Sequence, residues 1–259
     1  MSASKKVYLF ANWKMYLDFD ESNFLSKGIK KQAKKISKNI KMAVFPSALS
    51  FFSVTKTLLE SGVGAGSQNI HFEDRGGFTG EISALMYKNS GAKYTLIGHS
   101  ERRHLFHETN HDVRQKMEAA LSAGLIPVLC VGETEKERED DKTKETIEIQ
   151  IRSALHALSW NKNKKLIIAY EPVWAISKGI SPQEAGKHCD YLEAQRIHKF
   201  IKNLVFQLSK DLELVILFGG SVRPNTVKEY LQQPDIDGVL VGAASTKLDS
   251  WIEIVHNAC

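Results

Sequence analysis

The sequence predicts an α/β protein whose strands close into a (β/α)8 barrel, and two observations lead there. Short apolar or β-branched runs recur along the 259 residues, each followed by a longer stretch with helical periodicity. Eight such units fit the chain, and no Pro/Gly/Ser-rich linker, low-complexity tract or repeat divides it. Residues 1–259 are therefore expected to form one domain.

The candidate strands are Val7 to Trp13, Met42 to Phe45, Val63 to Ser67, Tyr94 to Gly98, Ile126 to Val131, Leu166 to Tyr170, Leu214 to Phe218 and Gly238 to Val241. Helix starts punctuate the intervals. Ser47 precedes the Phe51/Phe52 segment and Thr109 precedes Val113 to Leu121. Ser181-Pro182-Gln183-Glu184 combines a capping box with proline at the first helical position.

Composition bounds the rest. With 42% hydrophobic and 25% charged residues the chain reads as an ordinary soluble protein. The apolar run behind the basic start stops at Lys14, too short for a signal peptide or a membrane span. Cys130, Cys189 and Cys259 are far apart, which fits reduced thiols in a reducing, cytoplasmic setting. The net charge of +5 mildly favours anionic ligands. Much of the excess lies in Lys27, Lys30, Lys31, Lys34, Lys35, Lys38 and Lys41, which read as a solvated helix face. A nucleic-acid patch would interleave aromatics or Arg, so nucleic acid is not expected as a partner, and with no apolar run long enough to span, neither is a membrane.

Barrels of this kind place function at the carboxyl ends of their strands. Strand one ends in Asn12-Trp13-Lys14, where residues two apart in a strand share a face, so an amide and a cation can both aim into the mouth; a fraying strand with a surface lysine is the bland alternative. Strand four ends in Gly98-His99-Ser100-Glu101-Arg102-Arg103. His99 can reach a bound carbonyl while the turn behind it supplies N–H groups, and Glu101 can pair with Lys14 or an arginine; a core histidine beside an exposed ion pair is the alternative. Strand six runs into Tyr170-Glu171-Pro172-Val173-Trp174. Proline holds Glu171 extended, and a loop folding over it would desolvate the carboxylate and raise its basicity; a rim glutamate bonded to a lysine is the alternative.

Ala175 to Ser181 has the composition of a lid. Phe218-Gly219-Gly220-Ser221 and Val241-Gly242-Ala243-Ala244-Ser245 end consecutive strands with small residues, which lets backbone N–H groups approach a phosphate. Gly62-Val63-Gly64-Ala65-Gly66 lacks dinucleotide-fingerprint spacing. His104, His107 and His111 have tempting metal spacing, yet Thr109 reads as a helix start that breaks their shared face, and no metal is expected. Cys130 has no visible activating partner and reads as a buried structural thiol.

Taken together, these segments, with Ser67-Gln68-Asn69, Gly77-Phe78-Thr79-Gly80-Glu81 and Cys130-Val131-Gly132-Glu133, resemble the triosephosphate isomerase family in order and separation over nearly the whole chain. The resemblance implies the TIM-barrel fold and the interconversion of dihydroxyacetone phosphate and D-glyceraldehyde 3-phosphate through an enediol(ate), in glycolysis and gluconeogenesis, with no metal or organic cofactor. By that resemblance Glu171 matches the base, His99 the electrophile and Lys14 the cation, a pairing of carboxylate and imidazole already known for the family. Asn12 matches a group orienting the substrate oxygen. Ser177, Ser221, Gly242 and Ala243 match phosphate-binding positions, with Glu101, Gly179 and Gly220 in support. A homodimer is implied, in which the loop around Thr79 braces the partner subunit's Asn12 and Lys14.

Departures gather at the lid. The family's usual Ala-Ile-Gly-Thr-Gly-Lys-Thr-Ala is here Ala175-Ile176-Ser177-Lys178-Gly179-Ile180-Ser181-Pro182, Phe218 replaces a tyrosine, and Ala243 replaces a common glycine. The tyrosine hydroxyl bonds the N–H at the Pro182 position. Proline has no such N–H, so acceptor and donor are absent together and closure is expected to lean on Ser221 and Gly179. Rival readings are another phosphate-binding barrel, or an inactive barrel kept as a binding protein. The first does not explain Lys14, His99 and Glu171 at their strand ends, and the second predicts the loss of one of them.

Overall fold

The computed structural model describes residues 5–158, 165–176, 187–209 and 212–258. Eight strands, β1 (Val7–Asn12), β2 (Ile40–Phe45), β3 (Gly64–Ser67), β4 (Tyr94–Ile97), β5 (Ile126–Val131), β6 (Lys165–Tyr170), β7 (Glu213–Phe218) and β8 (Gly238–Val241), form a closed barrel in sequence order. All neighbouring pairs are parallel, and β8 returns to β1 with Leu9 opposite Val239. Helices α1 (Phe19–Ala33), α2 (Ala48–Leu58), α3 (Ala84–Asn89), α4 (Ser100–Leu105), α5 (Asn110–Ser122), α6 (Glu135–Glu139), α7 (Thr143–Leu155), α8 (Tyr191–Leu208), α9 (Val227–Leu231) and α10 (Leu248–Asn257) fall between and after the strands. This is the (β/α)8 barrel that the alternation predicts.

The strands are buried on both faces because residues alternate between two cores. Tyr8, Phe10, Phe45, Tyr94, Leu96, Val128, Ile167, Val215, Leu217 and Leu240 fill the barrel interior. Leu9, Ala11, Val44, Ile97, Leu129, Val131, Ile168 and Ile216 face the helices. Truncating a ring such as Phe10, which is fully buried, is expected to cost about 3–5 kcal/mol. The glycines of β3 have a packing role here. A Cβ at Gly64 would stand 2.7 Å from the Tyr94 ring, and one at Gly66 would overlap Phe45, so the glycines make room for two interior rings.

Helix starts follow local chemistry. Thr109 and Asp112 form a reciprocal capping box at α5, as do Asp18 and Glu21 at α1. Ser47 precedes α2 without a side-chain cap bond. Ser181-Pro182-Gln183-Glu184 lies outside the described residues; the long helix that is described, α8, is opened by Asp190, whose carboxylate accepts the N–H groups of Leu192 and Glu193. Because Thr109 opens α5, His104 and His111 belong to different helices. Among the described residues no helix is long and apolar enough to cross a membrane.

Candidate active site

The carboxyl ends of the strands converge on one mouth. Glu171 leaves β6 with its N–H donated to the Val131 carbonyl (2.7 Å), and its carboxylate turns toward α4. One oxygen, Oε2, accepts the backbone N–H of Ser100 at 3.0 Å; the other, Oε1, lies 3.2 Å from His99 Nε2. Both side chains are buried. The groups are 71 residues apart in sequence for the Ser100 bond, so only closure of the barrel brings them together.

His99 stands before the first turn of α4, and its Nδ1 accepts the N–H of Glu101 at 3.3 Å. A ring nitrogen that accepts an N–H carries no proton, so this bond assigns the ring hydrogen to Nε2, the atom facing Glu171. Arg103 supports the same turn from beneath. Its guanidinium donates to the Gly98 carbonyl (2.8 Å) and to Asn110 Oδ1 (2.7 Å). Gly98 is left-handed at φ 68°, a conformation that glycine adopts without steric cost.

Lys14 departs from the expected geometry. Strand β1 ends at Asn12, and Lys14 is not extended but left-handed, with φ 46°. Such a residue costs about 1–3 kcal/mol unless neighbours hold it. Here Asn12 Oδ1 accepts the Lys14 N–H at 3.0 Å, and Gln68 Nε2 donates to the Lys14 carbonyl at 2.7 Å and to Phe45 O at 2.9 Å. The ammonium nevertheless reaches the mouth, where it lies 2.6 Å from Glu101 Oε1. Of the two partners open to Glu101, Lys14 or an arginine, it pairs with Lys14.

The last two strands close the ring. A Cβ at Gly242 would stand 3.6 Å from Lys14 Cε, and a Cβ at Gly219 only 2.8 Å from Glu171 Cγ, so the two glycine-bearing ends border these two side chains. Ala243 opens a short 3-10 turn through Ser245, whose hydroxyl donates to Gly242 O (2.7 Å). Ser221 Oγ donates to the Ala175 carbonyl at 2.8 Å, tying the β7 loop to the short turn Val173–Ala175. Gly220 packs close to the Phe218 ring, which stacks on Tyr230 at 4.2 Å; the site of the missing hydroxyl is apolar packing. Ser177 and Gly179 lie outside the described residues.

Residues to which the sequence reading gave no role brace the site. Besides Gln68 and Arg103, Gln150 on α7 holds both backbone groups of Gly132 (2.9 and 3.1 Å). Glu133 accepts Trp174 Nε1 at 2.8 Å and Tyr170 Oη at 3.2 Å. Burial pushes the Glu133 carboxyl up, against the lowering effect of those hydrogen bonds. Gln68 follows the last residue of β3, so the rule that polar residues at strand tips carry function would have found it. Cys130 is a free, buried thiol whose pKa is pushed well up by burial and then by the charge of Glu171, which makes it unreactive. Cys189 is also free and buried. Among the described residues no group of three or more His, Cys, Asp or Glu is placed to hold a metal.

Thr79 lies in an exposed loop of its own chain. A cavity of about 390 Å³ runs beside the mouth, lined by Asn12, Lys14, Met15, Gln68, Glu81 and Arg102 among others. Its rim holds Met15, 95% exposed, and the exposed ring of Phe106.

A carboxylate, an imidazole and an ammonium at one mouth place the protein among (β/α)8 barrels whose strand ends could move a proton. A profile described as triosephosphate isomerase matches residues 7–258. Triosephosphate isomerase of Mycoplasmopsis pulmonis is 43% identical over 256 residues, covering 97% of each chain. That of Carboxydothermus hydrogenoformans is 39% identical, covering 98% of this chain and 99% of its own. That of Protochlamydia amoebophila is 40% identical, with 99% and 96% covered. The chain belongs to the triosephosphate isomerase family, and it is an enzyme that isomerises a phosphorylated triose.

Proposed function

We propose that the chain, as one domain, interconverts dihydroxyacetone phosphate and D-glyceraldehyde 3-phosphate with Glu171 as the base, His99 as the acid and Lys14 as the electrostatic partner. What supports these roles is the 3.2 Å approach of His99 Nε2 to Glu171 Oε1 beside the Lys14 ammonium. Glu171 takes a proton from C1 of the ketone, the electrons move into an enediolate, and the same carboxylate returns the proton to C2. His99 Nε2–H gives its proton to the C2 oxygen as charge develops there and takes one back from the C1 hydroxyl, so that the aldehyde forms at C1, while Lys14 and Asn12 hold the oxygens. For this the carboxylate leaves the Ser100 N–H and rotates into the mouth, over Gly219, where no Cβ obstructs Cγ. Backbone at Ser177, Ser221, Gly242 and Ala243 binds the phosphate, and lid closure excludes water from the enediolate.

A coupled assay with D-glyceraldehyde 3-phosphate tests the reading, run beside Glu171→Asp and His99→Gln. Wild-type protein without turnover would restore the inactive-barrel alternative. Closure in this reading uses the Ser221 hydroxyl, which exchanges Ala175 O for the Gly179 backbone; unchanged turnover in Ser221→Ala would refute that step.

The functional unit of this reading is a homodimer in a reducing cytoplasm. The loop around Thr79 enters the partner's cavity beside Met15, covering apolar side chains that are otherwise in water. Sedimentation that finds a fully active monomer at nanomolar concentration would count against it.

A further inference from the structure

We propose that the outer face of α1 and α2 is a docking surface for an anionic lipid bilayer. Residues 22–59 contain eight lysines, Lys27, Lys30, Lys31, Lys34, Lys35, Lys38, Lys41 and Lys56, and no Asp, Glu or Arg. The sequence alone reads these lysines as a solvated face; the fold adds three facts that this reading does not cover.

First, all but Lys30 are exposed, and among the described residues none of the eight is in an ion pair. Few carboxylates oppose them: Asp18 and Glu21 cap the start of α1, Asp20 is exposed on its first turn, Glu60 follows the end of α2, and Asp249 and Glu253 lie on α10. Second, the face carries aromatic rings. Phe24 is 74% and Phe52 57% exposed. Phe24, Lys27 and Lys31 follow one another at i, i+3 and i+7 on α1, with Lys34 and Lys35 in the turn that ends it. On α2 the Lys56 ammonium lies 4.7 Å from the centre of the Phe52 ring. Third, the helices are locked side by side. The Ser53 hydroxyl donates to Asn23 Oδ1 at 2.5 Å, which sets Phe24 and Phe52 next to the bonded pair.

Exposed rings on a lysine-rich face match the boundary between headgroups and acyl chains, where aromatics insert and lysines meet anionic phosphates. The absence of arginine favours a bilayer over nucleic acid. Discrete phosphates are recognised by the guanidinium fork, whereas compact lysine charges suit the diffuse potential of a membrane surface. None of these residues belongs to the mouth of the barrel, so docking leaves the isomerase site free.

The full-length protein is sedimented with vesicles of phosphatidylcholine alone, or with about one-third phosphatidylserine. Binding is expected only to the anionic vesicles, and about 1 M salt should abolish it because charge is then screened within about 3 Å. A variant carrying Lys27→Gln, Lys31→Gln, Lys34→Gln and Lys35→Gln should lose at least about tenfold in partitioning, at unchanged turnover. Removing the same charge at Lys136, Lys142, Lys199 and Lys228 should cost far less, and Phe24→Ser with Phe52→Ser should weaken binding several-fold. No binding to anionic vesicles, equal losses in the two lysine variants, or retention of a single-stranded RNA oligomer in place of vesicles would overturn the proposal.

Discussion

Glu171 Oε1 lies 3.2 Å from Nε2 of His99, the ring nitrogen left as donor by the Glu101 N–H on Nδ1. Base and acid of the proposed reaction therefore already share one contact, and each is oriented by the backbone of the α4 turn.

If that contact marks the reacting pair, shortening the base by one methylene should lower kcat with little change in KM. Glu171→Asp and His99→Gln are each expected to lose roughly 10²–10⁴-fold in kcat. Their effects should be far from additive, since the two act on one substrate. Steady-state kinetics of both single variants and the double variant decide it, and additive losses would place them in separate roles.

Space around the base is the second target. In Gly219→Ala the new methyl would press on Glu171 Cγ at 2.8 Å, a flexible neighbour, so turnover should fall at least about tenfold with a small change in melting temperature. In Gly132→Ala the methyl overlaps the Glu171 backbone carbonyl, which cannot yield, and destabilisation of about 1–3 kcal/mol or more is expected. Thermal melts paired with the coupled assay separate the two. Equal melting losses in both variants would contradict the distinction between side-chain and backbone obstruction.

Glu101→Gln sets two effects against each other. Losing a carboxylate near an anionic substrate should tighten binding, while losing the 2.6 Å contact releases the Lys14 ammonium from its place. Since Asn12 and Gln68 fix only the Lys14 backbone and Glu101 fixes its ammonium, orientation should dominate, with kcat/KM falling about tenfold. A lower KM at unchanged kcat would show that Glu101 acts only as a counter-charge.

Stability should fall in mild acid because of His198. It is fully buried on α8, with Nδ1 2.7 Å from Ala194 O and its ring beside Tyr170 and Phe218. Burial lowers its pKa from 6.5 to about 4. The folded state thus binds a proton less readily than the unfolded chain, so the full contribution is present above pH 6.5 and drains away as pH falls towards 4. The difference amounts to about 3 kcal/mol. Urea unfolding of wild type and His198→Leu at pH 7 and pH 4.5 should show a steeper acid loss in the wild type; parallel losses would refute the role of His198.

The barrel and its order of strands were legible because strand and helix periodicities are local, and because closed parallel barrels gather function at strand ends. Asn12, His99 and Glu171 could be found by asking which polar residues stand there, as could Gln68, which that question was not put to. The sequence by itself thus determined the architecture, the family and the side chains that the proposed reaction uses. Only the tertiary structure decided that Lys14 turns left-handed under Asn12 and Gln68, that Glu171 rests on the Ser100 N–H, and that the glycines of β3 make way for Phe45 and Tyr94. The physical reason is range. The Gln68 and Ser100 contacts join residues 54 and 71 positions apart, and neither propensity nor periodicity carries information across such separations until the barrel closes.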